Sequence, residues 1–418
     1  MDETILPSGQ RIYDQCQVLG GLSEDEGALT RVFLSKEQAR ANELVLGWMR
    51  EAGMDSCHLD PIGNVVGRYE GTERGLPCLL MGSHLDTVRN GGKYDGMQGV
   101  IAAIECVRTL HRRGKRLPFA LVVVGFSDEE GVRFGATLLG SRAIAGTFNK
   151  ALLDKQDHQH MTMRQAIINF GLDPEKIDEA AFKPEDVLAY AELHIEQGPV
   201  LEAEGLPVGN VTAINGANRF VVDVKGMAGH AGTVPMNLRQ DALTAAAECV
   251  LAIETRGRAT PELVATVGVL ACRPGATNVI PGDVQFMIDV RSPRDEERLA
   301  AVADILAAIE RICETRNVKV TISKVHEGHV AHSAEWLQAQ IRAAIAAEDI
   351  PVRDLPSGAG HDGMAIIDLP TDICMLFVRC KGGISHNPLE SITVEDADIS
   401  ARVFLRFIEN FQPKVDLA

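Results

Sequence analysis

The sequence predicts an α/β protein: a domain with a mainly parallel central sheet, discontinuous in the chain at 1–214 and 330–418, into which a ferredoxin-like α+β module at 215–329 is inserted. Three observations carry this reading. Short runs rich in β-branched residues alternate with segments of helical periodicity between 63 and 213, the pattern of strands joined by helical crossovers. The order then changes to strand, helix, two strands, helix, strand, which is that of a ferredoxin-like unit. Clusters of acids and histidines flank that unit on both sides in sequence, so a single site built from them requires one domain interrupted by another.

Taken in order, Leu79-Leu-Met-Gly-Ser83 reads as a buried strand ending at His84 and Asp86. Side chains two apart on a strand share a face. The Asp86 carboxylate is therefore expected to accept a hydrogen bond from the His84 imidazole and fix its tautomer. Gly91 and Gly92 allow a tight turn that aims Asp95 inward, before a helical stretch at 99–110. A second buried strand, 119–126, exits into Glu129 and Glu130. Two adjacent carboxylates suit two jobs, one binding a metal and the other accepting a proton from water. A third strand, from 189, delivers His194, and a fourth, 371–379, leads to His386. The charged stretch 156–184 reads as a helical excursion over the surface, with His158 and His160 in solvent, like His111. In the module, strands are expected at 219–225, 263–271, 283–291 and 318–323, and helices at 240–254 and 294–315.

Composition narrows the class of function. With 418 residues, 45% hydrophobic and 24% charged, the chain can bury cores for about two domains. A net charge of −17 opposes binding to nucleic acid or an anionic membrane. Nine cysteines without a Cys-x-x-Cys pair suggest neither a disulfide framework nor a thiolate zinc site, and Cys57, Cys78, Cys106 and Cys374 read as small core residues. No signal-peptide pattern and no run of about eighteen apolar residues is visible, so a reducing cytoplasm is the expected location.

A lone histidine is more often structural than a ligand. Four strand ends that together supply His84, Asp95, Glu130, His194 and His386 are another matter. They form a nitrogen and oxygen set suited to Zn, Mn, Co or Ni, with Asp95 short enough to bridge two ions. His230 lies among glycines just after a strand, where it can cap a turn or project. Arg291 ends a strand, either as a surface charge or as a fork for a carboxylate.

The motifs His84-Leu-Asp86-Thr, Asp95-Gly96, Ser127-Asp-Glu-Glu-Gly131, His194-Ile-Glu-Gln-Gly-Pro199, Gly229-His-Ala-Gly-Thr233, Asn278-Val-Ile-Pro281, Ile288-Asp-Val-Arg291, Gly358-Ala-Gly-His-Asp362 and Gly382-Gly-Ile-Ser-His-Asn-Pro388 occur in this order. With them the chain, from about residue 12 to 409, resembles the amidase, hydantoinase and carbamoylase branch of the M20 metallopeptidases. The resemblance implies a dinuclear metallohydrolase domain with an inserted lid and dimerisation domain. It implies two divalent ions per subunit, one on His84, Asp95 and His194 and the other on Asp95, Glu130 and His386, with Glu129 as general base. His194 stands where peptidase relatives carry a carboxylate, which favours the carbamoyl-hydrolysing branch. A homodimer is implied, with His230 reaching the partner's site to stabilise the oxyanion. Asn278 and Arg291 resemble the binders of a substrate carboxylate, Gln197, Gly360 and His361 resemble contacts to the ureido group, and Asn218 is a further candidate.

The expected reaction is metal-assisted hydrolysis of a ureido C–N bond on a small carboxylate, releasing ammonia and carbon dioxide. Allantoate is the first substrate expected, from the motifs around Glu130, Gly229 and Gly358. N-carbamoyl-L-amino acids or N-carbamoyl-β-alanine are the alternatives. A dipeptidase or deacylase of the same family, or a metal-free scaffold relative, are more distant readings.

Overall fold

Residues of the central strands lie so deep that the usual alternation of apolar and polar positions disappears. Cys78–His84, Ala120–Phe126 and Ile373–Val378 are buried at every position, because helices or loops cover both sheet faces. The structure, a computed structural model, describes residues 4–414. It divides into two compact units, one of Met1–Thr212, His332–Leu355 and Ala359–Ala418, the other of Ala213–Ala331 with Pro356–Gly358. That last three-residue stretch falls in the second unit although local periodicity gives no sign of it.

The first unit is a mixed α/β fold. Its nine-stranded sheet runs Ser56–Leu59, Val65–Tyr69, Ala120–Phe126, Cys78–His84, Val187–Ile195, Ile373–Val378 and Val208–Ile214 in spatial order before its short edge strands. The central pairings are parallel, those of Cys78–His84 with both neighbours and of Val187–Ile195 with Ile373–Val378. Antiparallel pairs flank this block. Helices Gly9–Gly20, Met97–Arg112 and Val394–Asn410 pack together over the sheet, sharing a core with Leu79, Met81, Leu121 and Val123. Val394–Asn410 starts from a capping box in which Thr393 and Asp396 each satisfy the other's backbone amide.

The stretch 156–184 is more than the surface excursion expected from its charge. Met163, Ala166, Ile167, Ile177 and Ala180 are buried with Phe33, Leu34, Ile62 and Leu139 in a core of their own. His158, His160 and His111 are exposed.

The second unit is a four-stranded antiparallel sheet in the order Lys319–Gly328, Gly216–Lys225, Asp283–Ser292, Val264–Arg273. Helices Ala242–Arg258 and Asp295–Thr315 cover one face through Ala245, Cys249, Ile253, Ile305 and Ile309. This is the β-α-β-β-α-β arrangement.

Candidate metal centre

Parallel neighbours end on the same rim of a sheet, so the residues that follow them gather there. Cys78–His84 delivers His84, Val187–Ile195 delivers His194, and Ala120–Phe126 runs out towards Glu129 and Glu130. Asp95 lies in the turn before helix Met97–Arg112. There Gly96 has φ +69°, and a Cβ on it would stand 2.5 Å from the His84 ring, so the turn can lie this close only as glycine. His386 enters from the loop after Ile373–Val378. Ligand atoms of His84, Asp95 and His194 lie within 4.8 Å of one another, as do those of Asp95, Glu130 and His386. His84, Glu129 and Glu130 make a third such group, so distance alone does not divide the work between the two glutamates.

The lone pairs in this cluster test whether a cation fits. His84 Nδ1 is 3.0 Å from the main-chain carbonyl of Asp86, and His194 Nδ1 is 2.8 Å from that of Ile195. A carbonyl can only accept, so both Nδ1 atoms carry a proton and the neutral rings turn an Nε2 lone pair inward. These Nε2 atoms face Asp95 Oδ1 at 3.5 and 3.1 Å, and that buried oxygen accepts no hydrogen bond; His194 Nε2 also accepts the Gly96 N–H at 3.2 Å, whereas His84 Nε2 faces the carboxylate alone. Asp95 Oδ2 is 3.2 Å from His386 Nε2, which is 3.3 Å from Glu130 Oε1. Acceptors aimed at one another need positive charge between them. Protons on the rings would supply it: although burial opposes this, Asp86 and Asp95 hold His84 well above the usual imidazole range. Bonds to Asp95 and Glu130 likewise raise His386 to about 10. Divalent cations would supply it equally, and the nitrogen and oxygen donors suit zinc or manganese.

Further carboxylates surround the cluster. Burial, and then neighbouring acids, push Asp128, Glu129 and Asp362 well above the usual carboxylate range; His84 opposes this at Glu129. The region therefore holds more potential negative charge than its imidazoles offset, which again fits dications.

Asp86 acts differently from the expectation. Its carboxylate stands 3.6 Å from His84 Nδ1, too far for a hydrogen bond, and the ring is fixed by the Asp86 carbonyl instead. The carboxylate accepts the backbone N–H groups of Glu129 at 3.0 Å and Glu130 at 3.1 Å, pinning the turn that carries both acids. Gln197, expected at the ureido group, donates its amide to Asp95 Oδ2 at 3.0 Å and to Ser385 Oγ at 3.1 Å; its own Oε1 is buried and accepts no hydrogen bond. His361 is 1% exposed and packs edge-on against His194 at 4.4 Å between ring centroids, behind that ring rather than in the open. Gly360 is exposed, and a Cβ there would lie 3.8 Å from Glu129 Oε1.

In the second unit His230 and Asn278 are brought side by side. Gly229–His230 pairs with Val279–Ile280, and the Ala231 amide donates to the Asn278 carbonyl. His230 is exposed, and its Nδ1 accepts the Gly232 N–H at 3.1 Å, which leaves Nε2 as the outward atom. Arg291 already uses its fork: Nε and Nη2 hold Asp289 at 2.8 and 2.9 Å, and Nη1 donates to the Gly358 carbonyl. A substrate carboxylate would have to share this guanidinium. Asn218, the further candidate, is 1% exposed with its Oδ1 accepting from Arg298.

Residues that local sequence did not single out complete the centre. Arg31 is fully buried, donating to the carbonyls of Leu85, Leu19 and Leu22; burial lowers it to about 10, and the Asp86 charge opposes the fall. Glu192 accepts from Ser83 and Tyr190 beneath the rim. Ser385 and Glu390 bracket Asp95. Glu192 offered a signal, a lone acid inside an apolar strand; Arg31 and Glu390 lie in polar contexts where a charge is unremarkable.

Comparison with known proteins extends this picture. Residues 80–410 match the family described as peptidase family M20/M25/M40. The chain is 41% identical over 396 residues to an N-carbamoyl-L-amino acid amidohydrolase of Geobacillus stearothermophilus, covering 94% of this chain and 96% of that protein. It is 39% identical to an allantoate deiminase of Arabidopsis thaliana, covering 94% of this chain and 80% of the relative. Among solved structures, an amidase of the hydantoinase/carbamoylase family from Burkholderia multivorans superposes with a TM-score of 0.90 at 30% identity, over 97% of this chain and 98% of that one.

Proposed function

The chain belongs to peptidase family M20/M25/M40, and from that premise we propose that it is a metal-dependent amidohydrolase cleaving the C–N bond of a ureido group on a small carboxylate. One observation carries the reading: the inward lone pairs of His84 and His194 facing an Asp95 oxygen that accepts no hydrogen bond. Relatives that hydrolyse carbamoyl compounds rather than peptides supply the substrate class. Two divalent ions, zinc or manganese with cobalt or nickel as alternatives, would be held by His84, Asp95 and His194 and by Asp95, Glu130 and His386, and would polarise the carbonyl and acidify water. Glu129 takes the proton of the attacking water on its carboxylate and returns it to the departing nitrogen. Asp86 keeps Glu129 and Glu130 in their turn through the two backbone amides. His230 of the partner subunit in a homodimer stabilises the oxyanion, an effect of about 3 kcal/mol on the barrier for a well-placed donor. Asn278 and Arg291 receive the carboxylate, and Gln197 contacts the ureido group.

Allantoate is the substrate proposed first. The 41% identity to the Geobacillus relative favours N-carbamoyl-L-amino acids as the second reading. Side-by-side kinetics on allantoate, N-carbamoyl-L-amino acids, N-carbamoyl-β-alanine and dipeptides test both, and cleavage of dipeptides alone would reject the proposal. Glu129→Gln should retain metal and lose at least about a hundredfold in turnover. Glu130→Ala should lose metal, read by elemental analysis after dialysis. Loss of metal from both variants alike would reject the division of roles.

A further inference from the structure

Glu390 is 4% exposed and lies four residues beyond His386. Its Oε1 accepts the backbone N–H groups of Tyr94 at 2.8 Å and Asp95 at 3.0 Å. Its Oε2 is 3.1 Å from Ser385 Oγ, and the same hydroxyl is 2.9 Å from Asp95 Oδ2. One carboxylate thus holds the main chain of the Asp95 turn with one oxygen and, with the other, the serine that touches the Asp95 side chain and precedes His386. The turn has closed tightly around it: a Cβ on Gly92 would come within 2.0 Å of the Glu390 carboxyl carbon. Gly92 is glycine because Glu390 occupies that space.

We propose that Glu390 is a positioning residue that sets the register between the Asp95 and His386 loops. In that register Asp95 Oδ1 faces His84 and His194 while Oδ2 faces His386. The proposal rests on the reading of these residues as a two-ion site, and adds to it a residue outside the ligand set. Ligand carboxylates are commonly oriented by outer partners whose loss weakens metal binding by about ten- to a hundredfold. Here the outer partner fixes both the backbone and the side-chain neighbour of a single bridging ligand. The demand is one of shape and hydrogen bonding. A glutamine at 390 can accept both amides on Oε1 and donate from Nε2 to Ser385 Oγ, which remains free to donate to Asp95.

The test titrates zinc into the metal-free full-length protein against a chromophoric chelator, with circular dichroism of each apo-protein recorded alongside. Glu390→Ala should weaken the weaker zinc site by about ten- to a hundredfold, while Glu390→Gln should stay within about threefold of wild type because every hydrogen bond has a counterpart. Gly92→Ala, which drives a methyl group into the carboxylate, should reproduce the Glu390→Ala defect. In the Glu390→Ala background the same glycine change should cost little more, because the space is vacant. Wild-type affinity in both Glu390→Ala and Gly92→Ala overturns the proposal. So does a Glu390→Gln protein as impaired as Glu390→Ala, since charge rather than geometry would then be at work. If Glu390→Ala does not fold, Gly92→Ala and Glu390→Gln decide the matter between them. Wild-type protein that takes up no zinc would instead reject the two-ion reading itself, an outcome distinct from a defect confined to the variants.

Discussion

Burial pushes the Asp60 carboxyl up to about 6, against hydrogen bonds from the Asn64 and Ile62 amides and the Asn64 side chain. The folded chain therefore holds this proton more tightly than the unfolded chain, whose value is near 3.8. The stabilisation is complete below about pH 3, declines as pH rises through about 6 and is gone above about pH 7. Asp60→Asn cannot titrate. The stability of wild type relative to that variant, measured by urea unfolding in chelator, should fall by about 2 kcal/mol between pH 4 and 7; a pH-independent difference would refute the assignment. At this scale the sequence was legible in chemistry and less so in atoms. Strand spacing placed Asp86 on the same face as His84, yet could not reveal that its carbonyl holds the ring while its carboxylate holds Glu129 and Glu130. Arg291 was recognisable as a carboxylate fork, and its partner Asp289, two residues back on the same strand, was not recognised.

Strands and helices emerge from sequence when burial leaves a pattern. The apolar runs at Cys78–His84 and Ala120–Phe126, and the alternation along Gly216–Lys225, are of that kind. The helical character of 156–184 is legible as well, but the core beneath Met163–Asn169 and its 3-10 neighbours is not, because each turn buries only one or two side chains and the charged positions between them dominate the composition. Turns that serve the centre are legible only as glycines. Gly96 makes the clearest element-scale prediction: alanine there would adopt a left-handed backbone and strike the His84 ring. Gly96→Ala should lower apo-protein stability by about 2 kcal/mol and reduce zinc content, read by thermal melting and elemental analysis. Full metal content in a normally stable variant would contradict the turn's role.

At the scale of the molecule, two units share one chain, and the proposed chemistry draws on residues of both. If His230 serves the partner's site, a mixed dimer of Glu129→Gln and His230→Ala subunits keeps one complete site. Co-expression with distinct tags should then recover about half the activity of wild type, although each variant alone is nearly inactive. A dead mixed dimer would place His230 at its own subunit's site. The chain order that permits such an insertion also governs when the centre can exist. Asp95 meets Ser385 across 290 residues and Glu390 across 295. At ribosomal rates of about 5–20 residues per second, the Asp95 turn waits some ~15–60 s for them. Through that interval the emerging chain carries an incomplete cage of lone pairs. If these residues hold two ions as proposed, the second could be captured only late in biosynthesis, by a chain that has grown past His386.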